Sequence, residues 1–235
     1  MAIMVAASPS VGHADQMDGI SWLGHASFKI AKKEAPVVYL DPWKLPETPH
    51  DGDVILITHS HYDHLSVPDI QKAAKPGAVI IGPADCLKDL TGDVRPVKPG
   101  QQVVLEGVTI EAVPAYNTGK PFHPKENGWV GYIVTIGGRR IYHAGDTDVI
   151  PEMSSFVVDV ALLPVSGTYV MSAEEAATAA GILNPKVAVP MHYGTIIGTE
   201  NDARQFQRRC APLTVKIYPS PFVSVSSRDS CCSRS

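Results

Sequence analysis

Four apolar residues, Val54-Ile55-Leu56-Ile57, run directly into Thr58-His59-Ser60-His61-Tyr62-Asp63-His64. A short, continuous, β-branched run suits a strand covered on both faces, and such strands belong to the middle of layered α/β folds. The polar string begins where that strand stops. A strand end fixes the backbone, and the turn after it can aim several side chains into one space. Three histidines and an aspartate within six residues are costly to bury unpaired. A metal ion is the partner that imidazole and carboxylate share, and zinc, manganese and iron all accept this donor set. The alternative is a solvated turn. With nine histidines in 235 residues, such a cluster is a poor accident.

Strands and helices alternate around this run. Ile20–Leu23, Ser27–Ile30, residues 36–40 and Val79–Ile81 read as strands, and Ser66–Ala74 as a helix stopped by Pro76-Gly77. Val103–Val113 reads as two strands meeting at Glu106-Gly107. Residues 115–128 form a long loop. Residues 129–142 carry a hairpin turning at Gly137-Gly138. Val157–Leu163, Lys186–Val189 and Leu213–Ile217 read as later strands. Ser172-Ala173-Glu174-Glu175 opens an Ala-rich helix with a capping box, and Asn201–Arg209 is a further helix. The pattern predicts one α/β domain over 19–223, a mobile extension at 1–18 and a disordered serine-rich tail at 224–235.

Composition narrows the function. A net charge of -4 gives no broad attraction for phosphate backbones, so no nucleic-acid partner is expected. No apolar run approaches the roughly 18 residues needed to span a bilayer. The amino terminus lacks the basic and long apolar segments of a signal peptide. Cys86, Cys210, Cys231 and Cys232 show no two-residue gap. They read as free thiols in a reducing, cytoplasmic setting.

The string His59, His61, Asp63, His64 matches in full the His-x-His-x-Asp-His hallmark of the metallo-β-lactamase superfamily, which this chain resembles. Ala144-Gly145-Asp146-Thr147 and Pro190-Met191-His192-Tyr193 resemble two later landmarks. Trp22-Leu23-Gly24-His25-Ala26 and Asp41-Pro42-Trp43 look like the start of the small branch that includes ascorbate-phosphate lactonase. The resemblance spans roughly Ile20 to Pro219. It implies a four-layer αββα sandwich and two divalent metal ions, with zinc first and manganese or iron as alternatives. His59, His61 and His123 would hold one ion, and Asp63, His64 and His192 the other, with Asp146 shared. His25 is compatible with support of a ligand, with substrate contact or with a structural role. His143 fits support of the ligands. Lys120, with Lys125 and Tyr116, could meet an anionic substrate, or the loop is simply solvated.

The resemblance further implies a hydrolase in which hydroxide held between two ions attacks a small ester, lactone or amide, with Asp63 and Asp146 handling the proton. A phosphodiesterase is the alternative, because the likeness extends to N-acyl phosphatidylethanolamine phospholipase D. A non-catalytic metal-binding or sensing protein is a third reading. The expected partner is a small molecule, and a homo-oligomer is left open.

Overall fold

The computed structural model describes residues 16–222, so most of the expected amino-terminal extension (1–15) and residues 223–235, with the expected tail, lie outside the described residues. Six strands form a first sheet: β1 (Ile20–Gly24), β2 (Ser27–Ile30), β3 (Val38–Leu40), β4 (Gly52–Leu56), β5 (Ala74–Gly82) and β6 (Asp93–Pro96), side by side in that order. Six more form a second: β7 (Gln102–Leu105), β8 (Val108–Pro114), β9 (Val130–Ile136), β10 (Arg139–His143), β11 (Val160–Pro164) and β12 (Val187–Met191), again in chain order. Pairing is antiparallel from β1 to β3 and parallel from β3 to β6. It is antiparallel from β7 to β10 and parallel from β10 to β12.

Side-chain alternation explains the layering. Val38, Leu40, Val54, Leu56 and Ile81 face the second sheet and pack with Ile110, Val130, Tyr132 and Val134. Their neighbours Tyr39, Ile55, Ile57 and Ile80 face the other way. There they meet Ile70 and Ala73 of helix α1 (Val67–Ala73). Both faces of β4 are therefore apolar contacts, which is why its sequence shows no polar alternation. Each such aliphatic side chain contributes about 1.5–3 kcal/mol on burial.

Helices α2 (Ala173–Leu183) and α3 (Glu200–Arg209) cover the second sheet. Ala176, Ala179 and Ala180 are fully buried, and their small size lets α2 lie close to β11. The expected capping box is present: Glu175 N–H donates to Ser172 Oγ at 3.2 Å, and Ser172 N–H to Glu175 Oε2 at 2.7 Å. Asn184 ends α2 in the left-handed region at φ 44°. The result is the αββα sandwich.

Two local expectations differ. The predicted strand over Leu213–Ile217 is reduced to a parallel bridge between Val215 and Ala188. The chain simply grazes the outer edge of β12 there. β6 was not anticipated, because Asp93-Val94-Arg95-Pro96 has no apolar pattern and is ordered only by pairing with β5.

The two sheets are stitched where the hallmark string begins. Tyr132 Oη donates to the Ile57 carbonyl at 2.7 Å, and Val130 N–H to the Thr58 carbonyl at 3.2 Å. The carboxyl ends of β4, β8, β10 and β12 meet at this edge, the place where α/β sheets present ligand sites.

Candidate metal centre

The turn after β4 projects His59, His61, Asp63 and His64. Asp146 enters from the turn after β10, His192 from the end of β12, His123 from the loop between β8 and β9, and His25 from the β1–β2 turn. His25, His123 and His192 all hold positive φ, at 51°, 53° and 61°. Such strain costs of order 1–3 kcal/mol per residue and persists only where surrounding structure enforces it.

The donors fall into two groups. His59, His61, His123 and Asp146 form one, and His25, Asp63, His64 and His192 the other; within each, donor atoms lie within 4.8 Å of one another. In the first, His61 Nδ1 is 3.1 Å from both His59 Nε2 and His123 Nε2. Asp146 Oδ2 is 3.2 Å from His123 Nε2 and 3.8 Å from His59 Nε2. Tetrahedral zinc with ligands at about 2.0–2.1 Å spaces its donors about 3.3 Å apart, so this group has the dimensions of a metal cage. Asp146 also reaches the second group, with Oδ2 3.2 Å from His192 Nε2 and Oδ1 3.3 Å from His64 Nε2.

Several of these atoms are stranded. His64 Nε2, His192 Nε2 and Asp146 Oδ1 are buried and without a hydrogen-bond partner. Their mutual approach lacks hydrogen-bond alignment. Buried polar atoms are normally satisfied, and an ion shared among these three would satisfy all of them. Burial opposes ionisation of Asp146, yet its close approach to the imidazoles of His192, His64 and His123 holds it well below the usual carboxylate range. The donor set fits divalent metal, without thiolate.

The outer ring nitrogens are anchored. Asp41 Oδ2 accepts from His64 Nδ1 at 2.7 Å and from Thr58 Oγ1 at 2.7 Å, while Oδ1 accepts from Thr58 N–H at 2.8 Å. Thr58 Oγ1 also lies 2.9 Å from His59 Nδ1, and Ser166 Oγ lies 3.0 Å from His192 Nδ1. Asn117 reaches His123 Nδ1 at 3.3 Å and donates to the Tyr169 carbonyl at 2.8 Å. Such contacts fix ring orientation toward an ion. Asp41 belongs to Asp41-Pro42-Trp43 and Thr58 opens the hallmark string, although nothing in their spacing signalled this task. Ser166 and Asn117 carried no sequence signal at all.

His25 is fully buried, with Nε2 2.9 Å from Asp63 Oδ2 and Nδ1 3.1 Å from Thr195 Oγ1. Burial lowers its pKa to about 4 against the pull of Asp63. Burial would raise Asp63, but the His25 hydrogen bond outweighs it and brings that carboxyl to about 2. A neutral His25 therefore donates its Nε2 proton to an ionised Asp63. His143 is equally buried; Nε2 donates to the Ala26 carbonyl at 2.8 Å and Nδ1 accepts from Gly145 N–H at 3.2 Å, which props the Asp146 turn.

Lys120 is not brought to the site. Its ammonium pairs with Asp148 and lies 3.5 Å from Glu175, pinning the loop to the start of α2. Lys125 pairs with Glu152 at 3.1 Å and sits over the Tyr116 ring. All three acidic partners lie in segments remote in sequence, so no local pattern could reveal the pairing.

Residues 19–192 match the family model described as a β-lactamase superfamily domain. The chain belongs to this superfamily. Within it, the chain is 32% identical over 217 residues to the UPF0173 metal-dependent hydrolase of Methanopyrus kandleri, covering 84% of this chain and 94% of the relative. It is 36% identical over 210 residues to a UPF0173 protein of Pyrococcus abyssi, covering 84% and 94%. A crystal structure from Parabacteroides distasonis superposes with a TM-score of 0.73 at 34% identity, over 84% of this chain and 91% of that one. The metallo hydrolase Igni18 of Ignicoccus hospitalis gives 0.71 at 28%, over 85% and 94%. This superfamily member thus shares its fold and nearly its full described length with them.

Proposed function

We propose that the protein is a binuclear metal-dependent hydrolase of a small ester, lactone or amide. One observation carries this reading: Asp146 of one donor group also reaches His64 and His192 of the other, and buried atoms of these three face each other without partners. The metal-dependent hydrolase names of its relatives support it. His59, His61 and His123 would hold one ion, and Asp63, His64 and His192 the second, with Asp146 between them. Two divalent ions, zinc in the first instance, supply a water of lowered pKa and Lewis acidity toward a substrate oxygen.

The chain's own residues do the rest. Asp63 and Asp146 are the carboxylates positioned to accept the proton released in hydrolysis and return it to the leaving group. His25 aims Asp63. The Trp129 ring lies 5.0 Å from that of His59 and 4.9 Å from that of His61, centroid to centroid, and limits water on that side. Phosphodiester cleavage is the lesser reading, because no Lys or Arg lines the cleft among the described residues. The unpaired thiols Cys86 and Cys210 agree with a cytoplasmic location.

The test is metal content of protein purified without chelator, measured by mass spectrometry beside Asp146→Ala and His61→Ala. Two ions per chain are expected, with both variants depleted. Protein that stays metal-free after reconstitution would sink the mechanism. Two ions with no turnover on any ester, lactone or amide would favour a metal-binding or sensing role.

A further inference from the structure

The cleft over the two donor groups holds about 260 Å³, which suits a small molecule. Its floor is polar. Its walls are Tyr62, Phe122, Tyr169, Ile196 and Ile197. Four of these are large apolar side chains left substantially exposed: Tyr62 at 67%, Ile196 at 42%, Phe122 at 38% and Tyr169 at 37%. Scattered exposed apolar residues need no explanation, but a set converging on one opening does.

Each wall is tied to a donor group. Phe122 precedes His123 and meets Tyr169 edge-on, with ring centroids 4.8 Å apart and planes at 84°. The Tyr169 carbonyl takes its hydrogen bond from Asn117, whose amide also touches His123. On the opposite side, Ile196 and Ile197 follow Thr195, whose hydroxyl contacts His25. The apolar walls are thus held in register with the reacting centre. The lysines nearest in sequence, Lys120 and Lys125, are engaged by Asp148 and Glu152. No basic side chain lines the cleft among the described residues, so a charged group at the far end of a substrate would meet these apolar walls with no counter-ion beside it.

We infer that the substrate carries a short, uncharged apolar arm, and that Phe122, Tyr169 and Ile196 select for it. This rests on the carbonyl-hydrolase reading above. The arm would lie between the Phe122–Tyr169 pair and the Ile196–Ile197 segment, placing the scissile carbonyl over Asp146. Hydrolysis then adds one water across the acyl bond and releases acid and alcohol, with no further reactant.

The experiment compares p-nitrophenyl acetate, butyrate and hydrogen succinate on the metal-loaded protein, the last two differing chiefly in a carboxylate at the end of the arm. A rise in kcat/KM of about tenfold or more from acetate to butyrate is expected, with the succinate ester falling below acetate. Phe122→Ala and, on the other wall, Ile196→Ser should each reduce the butyrate-to-acetate ratio several-fold. Calorimetric titration gives a readout without turnover: 1-hexanol should bind at least tenfold more tightly than 6-hydroxyhexanoate. Turnover with no preference for butyrate over the succinate ester, or equal binding of the two alcohols, overturns the inference and leaves the hydrolase reading standing. Absence of turnover on every ester, with bis(p-nitrophenyl) phosphate cleaved, overturns the carbonyl reading and this inference with it.

Discussion

Asp41 Oδ2 lies 2.7 Å from His64 Nδ1, and neither side chain is exposed to solvent. The carboxylate accepts, so Nδ1 carries a proton and Nε2 is the atom turned toward Asp146. Asp41→Asn keeps the shape but offers a single acceptor oxygen to three donors, and its NH₂ would face Thr58 or His64 donor to donor. A loss of about 10–100-fold in metal affinity is expected. Calorimetric metal titration, with circular dichroism to verify the fold, measures it. Unchanged affinity would show that packing alone orients His64.

Gly131 on β9 is reserved by neighbouring backbone. A Cβ there would stand 2.7 Å from the His143 carbonyl oxygen and 2.8 Å from that of Ala144. Gly131→Ala should therefore destabilise by about 1–3 kcal/mol and weaken metal binding by displacing the Asp146 turn. Gly181→Ala, with open space at that point of α2, should instead gain about 0.5–1 kcal/mol from helix propensity. Urea unfolding of both variants tests the contrast.

Asp69 ties α1 to the segment after β3. Its carboxylate accepts from Lys44 N–H at 2.9 Å, Leu45 N–H at 3.1 Å and Lys72 Nζ at 2.8 Å. Burial favours the neutral acid, but Lys72, Ser66 and these amides bring its pKa below the ordinary value. The folded carboxyl titrates lower than the unfolded one, so its stabilisation is complete above about pH 4 and fades as pH falls through the folded pKa. Asp69→Asn should lower Tm at pH 7, and the gap to the parent should close toward pH 3. Thermal melts of both proteins, stripped of metal, give the comparison; a gap that is constant with pH removes the linkage.

The stranded atoms of His64, His192 and Asp146 predict that metal stabilises the fold itself. At about 100 times its Kd, a bound ion adds about 2.7 kcal/mol, or roughly 5–10 °C in Tm for a chain of this size. His192→Ala should forfeit much of that shift. Calorimetric scans with and without zinc, after chelation, measure it, and an unmoved Tm would mean the atoms are satisfied in another way.

The sequence carried the centre of the fold well. The run Val54–Ile57 has apolar contacts on both faces, and the Ser172–Glu175 box opens α2 as read. Both depend on local chemistry or on a pattern that burial imposes directly. The hallmark string and Asp146 and His192 are brought together, as is His123 from its Pro- and Lys-rich loop. What could not be read depends on approach across the sandwich. Asp41 meets His64 because β3 lies beside β4, and Ser166 meets His192 because β11 lies beside β12. Lys120 looked free because Asp148 and Glu175 are distant in the chain. The apolar walls come from four separated segments, none with periodicity of its own.

The division of donors between two sheets also sets an order of events during synthesis. One group spans residues 59 to 146 and the other 25 to 192. The ribosome releases the amino-terminal sheet first, at about 5–20 residues per second. For several seconds Phe28, Leu40 and Leu56 thus have no second sheet to cover them. The hallmark string is already outside the tunnel in that interval, yet its partners do not exist. The group that spans 59 to 146 has all its donors before β12 is made, whereas the other waits for His192. A nascent chain halted before His192 would display the full hallmark and lack one of the four donors of the second group, leaving its exposed apolar sheet to chaperones.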